Sequence, residues 1–248
     1  MLDSKNRSYT CFGINSTISI IKSDRFQVQK ILIIKNSKAE KDKELNNILL
    51  SVNPRLIKKV SHEKISTRFK SQGVSIMFSG KLIFDETTNY AKAEYSCLLV
   101  LDQVEDPQNF GQIIRTAECA GIEGIIYSKH HSVPLTDTAL QVSQGAFVNM
   151  KFYEVTNIKN ELKKLKKYDF WIIGFENSIN AKPWYSIDYS GKTAIVVGSE
   201  GRGIRKKVLE SCDFIATVPM QGLTNSLNVS AATSAIVFER LRQKLEKK

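Results

Sequence analysis

What the chain lacks narrows it first. No apolar run approaches the roughly 18 residues of a membrane-spanning helix, and the polar start Met1–Thr10 has no apolar stretch of the kind a secretory signal carries. A cytoplasmic protein without membrane contact is expected. Cysteine is scarce: Cys11, Cys97, Cys119 and Cys212 are widely scattered, and no CxxC pair exists. The three histidines, His62, His130 and His131, show no ligand spacing. No zinc or other metal site is therefore expected, and the cysteines read as free thiols in a reducing compartment. There is no internal repeat, no low-complexity tract, no GxGxxG fingerprint and no Gly-Lys-Ser/Thr of a P-loop. With 42% hydrophobic residues the chain has enough apolar side chains for a core, which excludes wholesale disorder.

What is present is unevenly spread. Residues 1–90 hold 16 Lys and Arg against 8 Asp and Glu, an excess of 8, whereas residues 91–248 hold 20 against 17, an excess of only 3. The basic excess sits in the first third. A polyanion such as RNA suits it, because neutralised phosphates release counterions, although dispersed lysines also keep a small domain soluble.

The order of elements is that of an α/β protein. Gly13 to Ile21 reads as a helix, Ile31 to Ile34 as a buried strand, Glu40 to Leu50 as an amphipathic helix ended by Pro54, Leu56 to Val60 as a strand, His62 to Phe69 as a helix and Val74 to Phe78 as a strand. This alternation predicts a small, mostly parallel sheet. Order is lost from Ser79 to Glu94, so the expected division is a domain over 1–80, a linker over 81–95 and a second domain over 96–248. In the second domain, strands are expected at Cys97–Leu101, Gly124–Tyr127, Phe170–Phe175, Thr193–Val197 and Phe214–Val218. Asn109 is expected to cap a helix running from Phe110 to Ala120, with further helices at Asp137–Ser143 and Ile158–Lys167. A last helix from Asn228 to Glu246 has the apolar stripe Ala231, Ala235, Phe238, Leu241 and Leu245.

Three strings carry the chemistry. Asn109-x-Gly111 leads to Arg115, Gly198-Ser199-Glu200-Gly201-x-Gly203 follows a strand, and Pro219-Met220 precedes Ser226-Leu227-Asn228-Val229-Ser230. Each combines glycines that admit a ligand to the backbone with a few polar groups, and each stands at a strand end, where open α/β sheets bind ligands. His130 and His131 lie outside these strings and read as solvated, Glu105-Asp106 as a polar turn, and Lys163, Lys164, Lys166 and Lys167 as a solvated helix face.

In order and spacing, the three strings resemble the motifs of the SpoU (TrmH-like) RNA 2′-O-ribose methyltransferases. Ser143-Gln144-Gly145-Ala146 adds a lesser match, and Gly13–Ile20 with Gln72-Gly73-Val74 resembles the L30e-like domain of the branch that acts on a guanosine of 23S rRNA; Ser71 stands where relatives usually carry histidine. The resemblance covers nearly the whole chain. It implies a SPOUT fold, an α/β parallel sheet with helices on both faces whose C-terminal segment forms a trefoil knot, preceded by a smaller L30e-like α/β domain. It implies a homodimer that binds S-adenosylmethionine through Gly198, Val218, Met220 and Leu227 and needs no metal. It implies that Arg115, Glu200, Ser226, Asn228 and Asn109 serve the reaction. Arginine is essentially always protonated, so Arg115 suits a phosphate clamp and alkoxide stabiliser better than a base. Other readings are a tRNA ribose methyltransferase, a non-catalytic rRNA-binding assembly factor and, without its fingerprint, a nucleotide-dependent oxidoreductase.

Overall fold

A computed structural model describes residues 7–61, 71–84, 97–178 and 180–246. The expected helix His62–Phe69 and residues 85–95 of the expected linker lie outside the described residues. Two compact units emerge: Met1–Leu82 together with Leu135–Asn149, and Ile83–Pro134 together with Met150–Lys248.

In the first unit, β1 (Ser8–Phe12), β2 (Phe26–Ile34), β3 (Ile57–Val60) and β4 (Val74–Gly80) form a sheet in the order β1-β4-β2-β3. The β1/β4 and β2/β4 pairs are antiparallel and only β2/β3 is parallel, so the expectation of a mostly parallel sheet is corrected. The reason is β1, which periodicity missed: it begins beside the polar N-terminus and gains its identity only by pairing with the buried β4. Helix α1 (Ile14–Lys22) starts where Gln72 Oε1 accepts the Ile14 N–H at 2.9 Å. The single helix expected over Glu40–Leu50 is two, α2 (Lys38–Lys41) and α3 (Lys43–Leu49), because Asp42 is extended and caps the second through the Leu45 N–H at 2.9 Å.

Leu135–Asn149, expected in the second domain, packs with this first unit instead. Its helix α5 (Asp137–Val142) presents Gln141, whose side-chain amide accepts the Phe12 N–H at 2.6 Å and donates to the Phe12 carbonyl at 3.0 Å. Further on, Phe147 stacks on Phe78 with ring centroids 5.8 Å apart. The Phe12 edge of β1 is thus satisfied by a side chain that mimics a strand, a pairing that local sequence does not announce.

The second unit is a seven-stranded sheet in the order β7-β6-β5-β10-β8-β11-β9, parallel throughout. Its strands are β5 (Cys97–Asp102), β6 (Gly124–Ser128), β7 (Lys151–Val155), β8 (Trp171–Phe175), β9 (Lys182–Pro183), β10 (Thr193–Gly198) and β11 (Phe214–Thr217). Strands β5 and β10 are buried along their full length, as a parallel strand covered on both faces must be. Leu98, Val100, Ile126, Ile172, Ala194 and Val196 pack against Ile158, Leu162 and Leu165 of α6 (Ile158–Lys166). Each fully buried aliphatic side chain contributes about 1.5–3 kcal/mol.

Helix α4 (Pro107–Cys119) packs against α8 (Val229–Glu246). On α8 the apolar stripe is only partly covered, with Ala235 and Leu241 half-buried. Ala231 is exposed, as are Phe238 (46%) and Leu245 (60%), whereas Val229, Thr233, Ile236, Val237 and Arg240 are buried. Apolar residues occupy both sides of this helix, so periodicity alone could not choose the side that meets the sheet. Among the described residues no helix is long and apolar enough to cross a membrane.

Candidate functional site

The parallel registers bring four strand ends together. Gly198 ends β10 opposite Asp102 of β5, Phe175 of β8 lies beside Val197, and Ala216 of β11 lies beside Phe175. The chain leaving β10 must therefore turn inside a crowded space. It does so by bonding to itself: the Ser199 N–H donates to the Gly203 carbonyl at 3.2 Å, and the Gly203 N–H to the Ser199 carbonyl at 3.0 Å. A Cβ at Gly198 would lie 2.1 Å from Gly203 C, and one at Gly203 (φ 66°) would lie 2.3 Å from Glu176 Oε2. Only glycine fits at these two positions.

Two carboxylates fasten the far side of the turn. Glu176 Oε2 accepts the Ile204 N–H at 2.6 Å. Asp102, fully buried, accepts the Arg205 N–H on Oδ2 and Arg205 Nε–H on Oδ1, both at 2.9 Å, and Arg205 Nη2 lies 2.7 Å from the same Oδ1. The turn and the segment after β11 enclose a cavity of about 630 Å³, within the usual range for a small-molecule site. Gly198, Val218, Met220 and Leu227, the residues expected to hold a cofactor, all line it. Glu200, Ser226 and Asn228 line it too.

Asn109 does not cap its helix, contrary to expectation. Pro107 occupies the first helical turn, so the cap falls to Asp106, whose side chain accepts the Gln108 N–H at 2.9 Å. The Asn109 amide is thereby released for longer-range bonds. Its Nδ2–H donates to Glu200 Oε1 at 2.7 Å, and its Oδ1 accepts from Asn228 Nδ2 at 3.1 Å. Asn228 Nδ2 also donates to Glu200 Oε1. Asn228 Oδ1 meanwhile accepts the Ser230 N–H at 2.9 Å, capping α8. One asparagine thus starts a helix and holds a carboxylate. Ser230 Oγ lies 2.6 Å from Asn228 Oδ1 and 2.7 Å from Gln112 Oε1. A hydroxyl has one proton to give, so if Ser230 donates to Asn228, the Gln112 amide must turn its NH₂ toward Ser230.

Arg115 stands apart from this cavity. It is exposed on α4 and lines a smaller hollow of about 300 Å³ with Gln112, Thr116, Ser230, Ala231 and Ser234. The two hollows are linked through Asn228, which lines the main cavity and is bonded both to Asn109 and to Ser230 of the smaller hollow. Sequence reasoning missed Glu176 and Asn177, which line the main cavity, and the clamp role of Asp102. Their positions just after or at the end of β8 and β5 were the available signal, since ligands gather at carboxyl ends of parallel strands.

None of the residues lining the main cavity is a cysteine. Burial raises the Cys97 thiol above its ordinary pKa and pushes Cys212 up to about 12. Among the described residues no three His, Cys, Asp or Glu side chains cluster as a metal site would require.

This parallel α/β unit, with a glycine-walled cavity at its carboxyl edge, defines the class, and comparison with known proteins gives the family. Residues 96–238 match the model of the SpoU rRNA Methylase family, and the chain belongs to it. It is 33% identical over 238 residues to the 23S rRNA (guanosine-2'-O-)-methyltransferase RlmB of Xylella fastidiosa strain 9a5c, covering 94% of this chain and 95% of that protein. The crystal structure of the SpoU methyltransferase AviRb from Streptomyces viridochromogenes in complex with the cofactor AdoMet superposes with a TM-score of 0.81 at 17% identity, over 96% of this chain and 91% of that one, and shows the shared fold. The A. aeolicus TrmH/SpoU tRNA modifying enzyme aligns at 28% identity and a TM-score of 0.58 over 63% of this chain and 79% of that one.

Proposed function

We propose that the protein transfers a methyl group from S-adenosylmethionine to a ribose 2′-hydroxyl of RNA, on a guanosine of 23S rRNA. The observation that carries this reading is the meeting of two remote strings, around Gly198 and around Leu227, on one cavity of about 630 Å³. The near full-length similarity to the Xylella protein favours the rRNA substrate over tRNA, because the match to the A. aeolicus tRNA enzyme stops at 63% of this chain.

The residues present fit the donor. Gly198 removes a side chain where a ligand must approach the backbone, and Val218 and Leu227 offer main-chain N–H and C=O groups of the kind that read an adenine. When bound, S-adenosylmethionine supplies an electrophilic methyl group. The protein's own work is to align the 2′-oxygen for in-line displacement and to dispose of its proton. Ser226 hydrogen-bonds the ribose. Glu200, its Oε1 held by Asn109 and Asn228, turns its second oxygen to substrate or main-chain donors. Arg115 clamps the neighbouring phosphate and stabilises the negative charge growing on the 2′-oxygen.

Because Arg115 lies outside the main cavity, the reading includes a homodimer. The exposed face of α8, with Phe238 and Leu245, is the surface for the second copy, and pairing there sets an Arg115 against each donor site. The reading also includes a cytoplasmic location and the family's trefoil-knotted threading. The knot is supported by a strand order that inserts β10 between β5 and β8.

Mapping ribose methylation in 23S rRNA from cells with and without the protein tests the proposal. One guanosine should lose its methyl group. Tight rRNA binding without methyl incorporation would indicate an assembly factor instead, and incorporation into tRNA alone would indicate the tRNA branch.

A further inference from the structure

The turn beyond Gly198 is anchored at several points along its length. Four successive restraints act on it: the paired bonds between Ser199 and Gly203, the close packing of Gly198, the Glu176 bond to Ile204 and the Asp102 bonds to Arg205. At its tip stands Arg202, exposed and with no ion-pair partner among the described residues. Its neighbours Glu200, Gly201 and Gly203 line the cavity, but Arg202 does not, so its side chain belongs to the rim.

Three more cations follow within five residues: Arg205, Lys206 and Lys207, all exposed. Of the nearby acids, Glu200 and Asp102 are already engaged and Glu210 is exposed. Glu200 is held by two asparagines, Asp102 is buried beneath Arg205, and Glu210 lies beyond the short helix α7 (Lys206–Leu209). Arg205 deserves its pairing for a geometric reason. Asp102 engages Nε and Nη2, so the Nη1 donors of the five-donor fork are not used in this pairing, and the side chain as a whole is 44% exposed. A guanidinium oriented this way loses little entropy on meeting a second anion, and its planar fork matches phosphate oxygens.

We infer that Arg202, Arg205, Lys206 and Lys207 form a phosphate-docking rim, which seats the RNA sugar-phosphate backbone beside the cavity that holds the target ribose. This rests on the proposed RNA substrate. The rim positions the substrate and takes no part in methyl transfer.

The test compares wild type with the double charge reversal Arg202→Glu/Lys206→Glu. Lys163→Glu/Lys167→Glu on α6 serves as a control with the same change in net charge. S-adenosylmethionine affinity, read by calorimetry, should match wild type in both and so report an intact fold. For the rim variant, RNA KM should rise about tenfold or more, and the slope of log K against log salt should shrink by about 0.7 for each lost contact to single-stranded RNA. The α6 control should change both much less, and Arg202→Lys should recover part of the loss. An unchanged KM and slope in the rim variant, or an equal loss in the control, overturns the rim. A wild type that binds S-adenosylmethionine but methylates no RNA overturns the proposed function, and the rim with it.

Discussion

A single methyl group added at Gly198 would sit 2.1 Å from Gly203 C and 2.3 Å from both Gly203 O and Ile204 N. All three are main-chain atoms that cannot swing aside. Gly198→Ala should therefore displace the turn, at a cost of about 1–3 kcal/mol from overpacking. Calorimetry should show S-adenosylmethionine affinity falling at least tenfold; affinity within twofold of wild type would detach Gly198 from the donor site. Arg115 invites a different experiment, because lysine keeps the charge but loses the fork. Arg115→Lys should lower single-turnover methyl transfer on bound RNA by about 10²-fold, the scale of losing one transition-state donor, without changing donor affinity. Unchanged turnover would exclude the bidentate clamp. Gly198 was legible in the sequence as a glycine at a strand end, and Arg115 as part of the string that begins at Asn109. The bonds from Asn109 to Glu200 and Asn228 were not, because they join positions 91 and 119 residues apart.

Helix boundaries show how local chemistry and packing divide the work. Asn228 caps α8 through the Ser230 N–H, so Asn228→Ala should cost about 1 kcal/mol. That corresponds to a fall of about 2–4 °C in melting temperature for a domain of this size, readable by calorimetry. If the melting temperature stays put, the cap is not contributing. In α5, burial raises the Asp137 carboxyl above the ordinary aspartate value, against smaller lowering from the Thr10 main-chain bond and Arg7. A raised folded pKa means the folded state holds the proton more tightly, so ionising Asp137 costs stability as pH climbs from the ordinary aspartate value through the raised one. Asp137→Asn should accordingly stabilise the protein at pH 7 and give no such gain at pH 3. Thermal melts at both pH values decide it, and an equal effect at the two would refute the assignment. The strands β5, β8 and β10 were readable as short apolar runs, whereas β7 escaped because Lys151 and Glu154 interrupt its apolar residues, and the split between α2 and α3 because alternating charged and apolar residues over Glu40–Leu50 hide the capping role of Asp42.

For the whole molecule, the proposed homodimer rests on the exposed side of α8. Phe238 and Leu245 together give a single protomer a costly apolar face, and burying it in a second copy would recover about 25 cal/mol for each Å² removed from water. Phe238→Asp should convert a dimer to a monomer in light scattering. It should abolish methyl transfer yet preserve S-adenosylmethionine uptake, because that cavity is lined within one chain. A wild-type monomer with full activity would remove the dimer from the mechanism.

The sequence by itself determined the α/β class, the strong parallel strands of the second unit and the three strings that mark the family, since each depends on local apolar runs, turn glycines and residue types in fixed order. Only the tertiary structure decided that β1 makes the first sheet mainly antiparallel, that Leu135–Asn149 packs with the first unit, which side of α8 meets the sheet, and that Arg115 stands outside the donor cavity. Those outcomes depend on which distant surfaces satisfy each other's hydrogen bonds and apolar area, a pairing energy that no window of neighbouring residues contains.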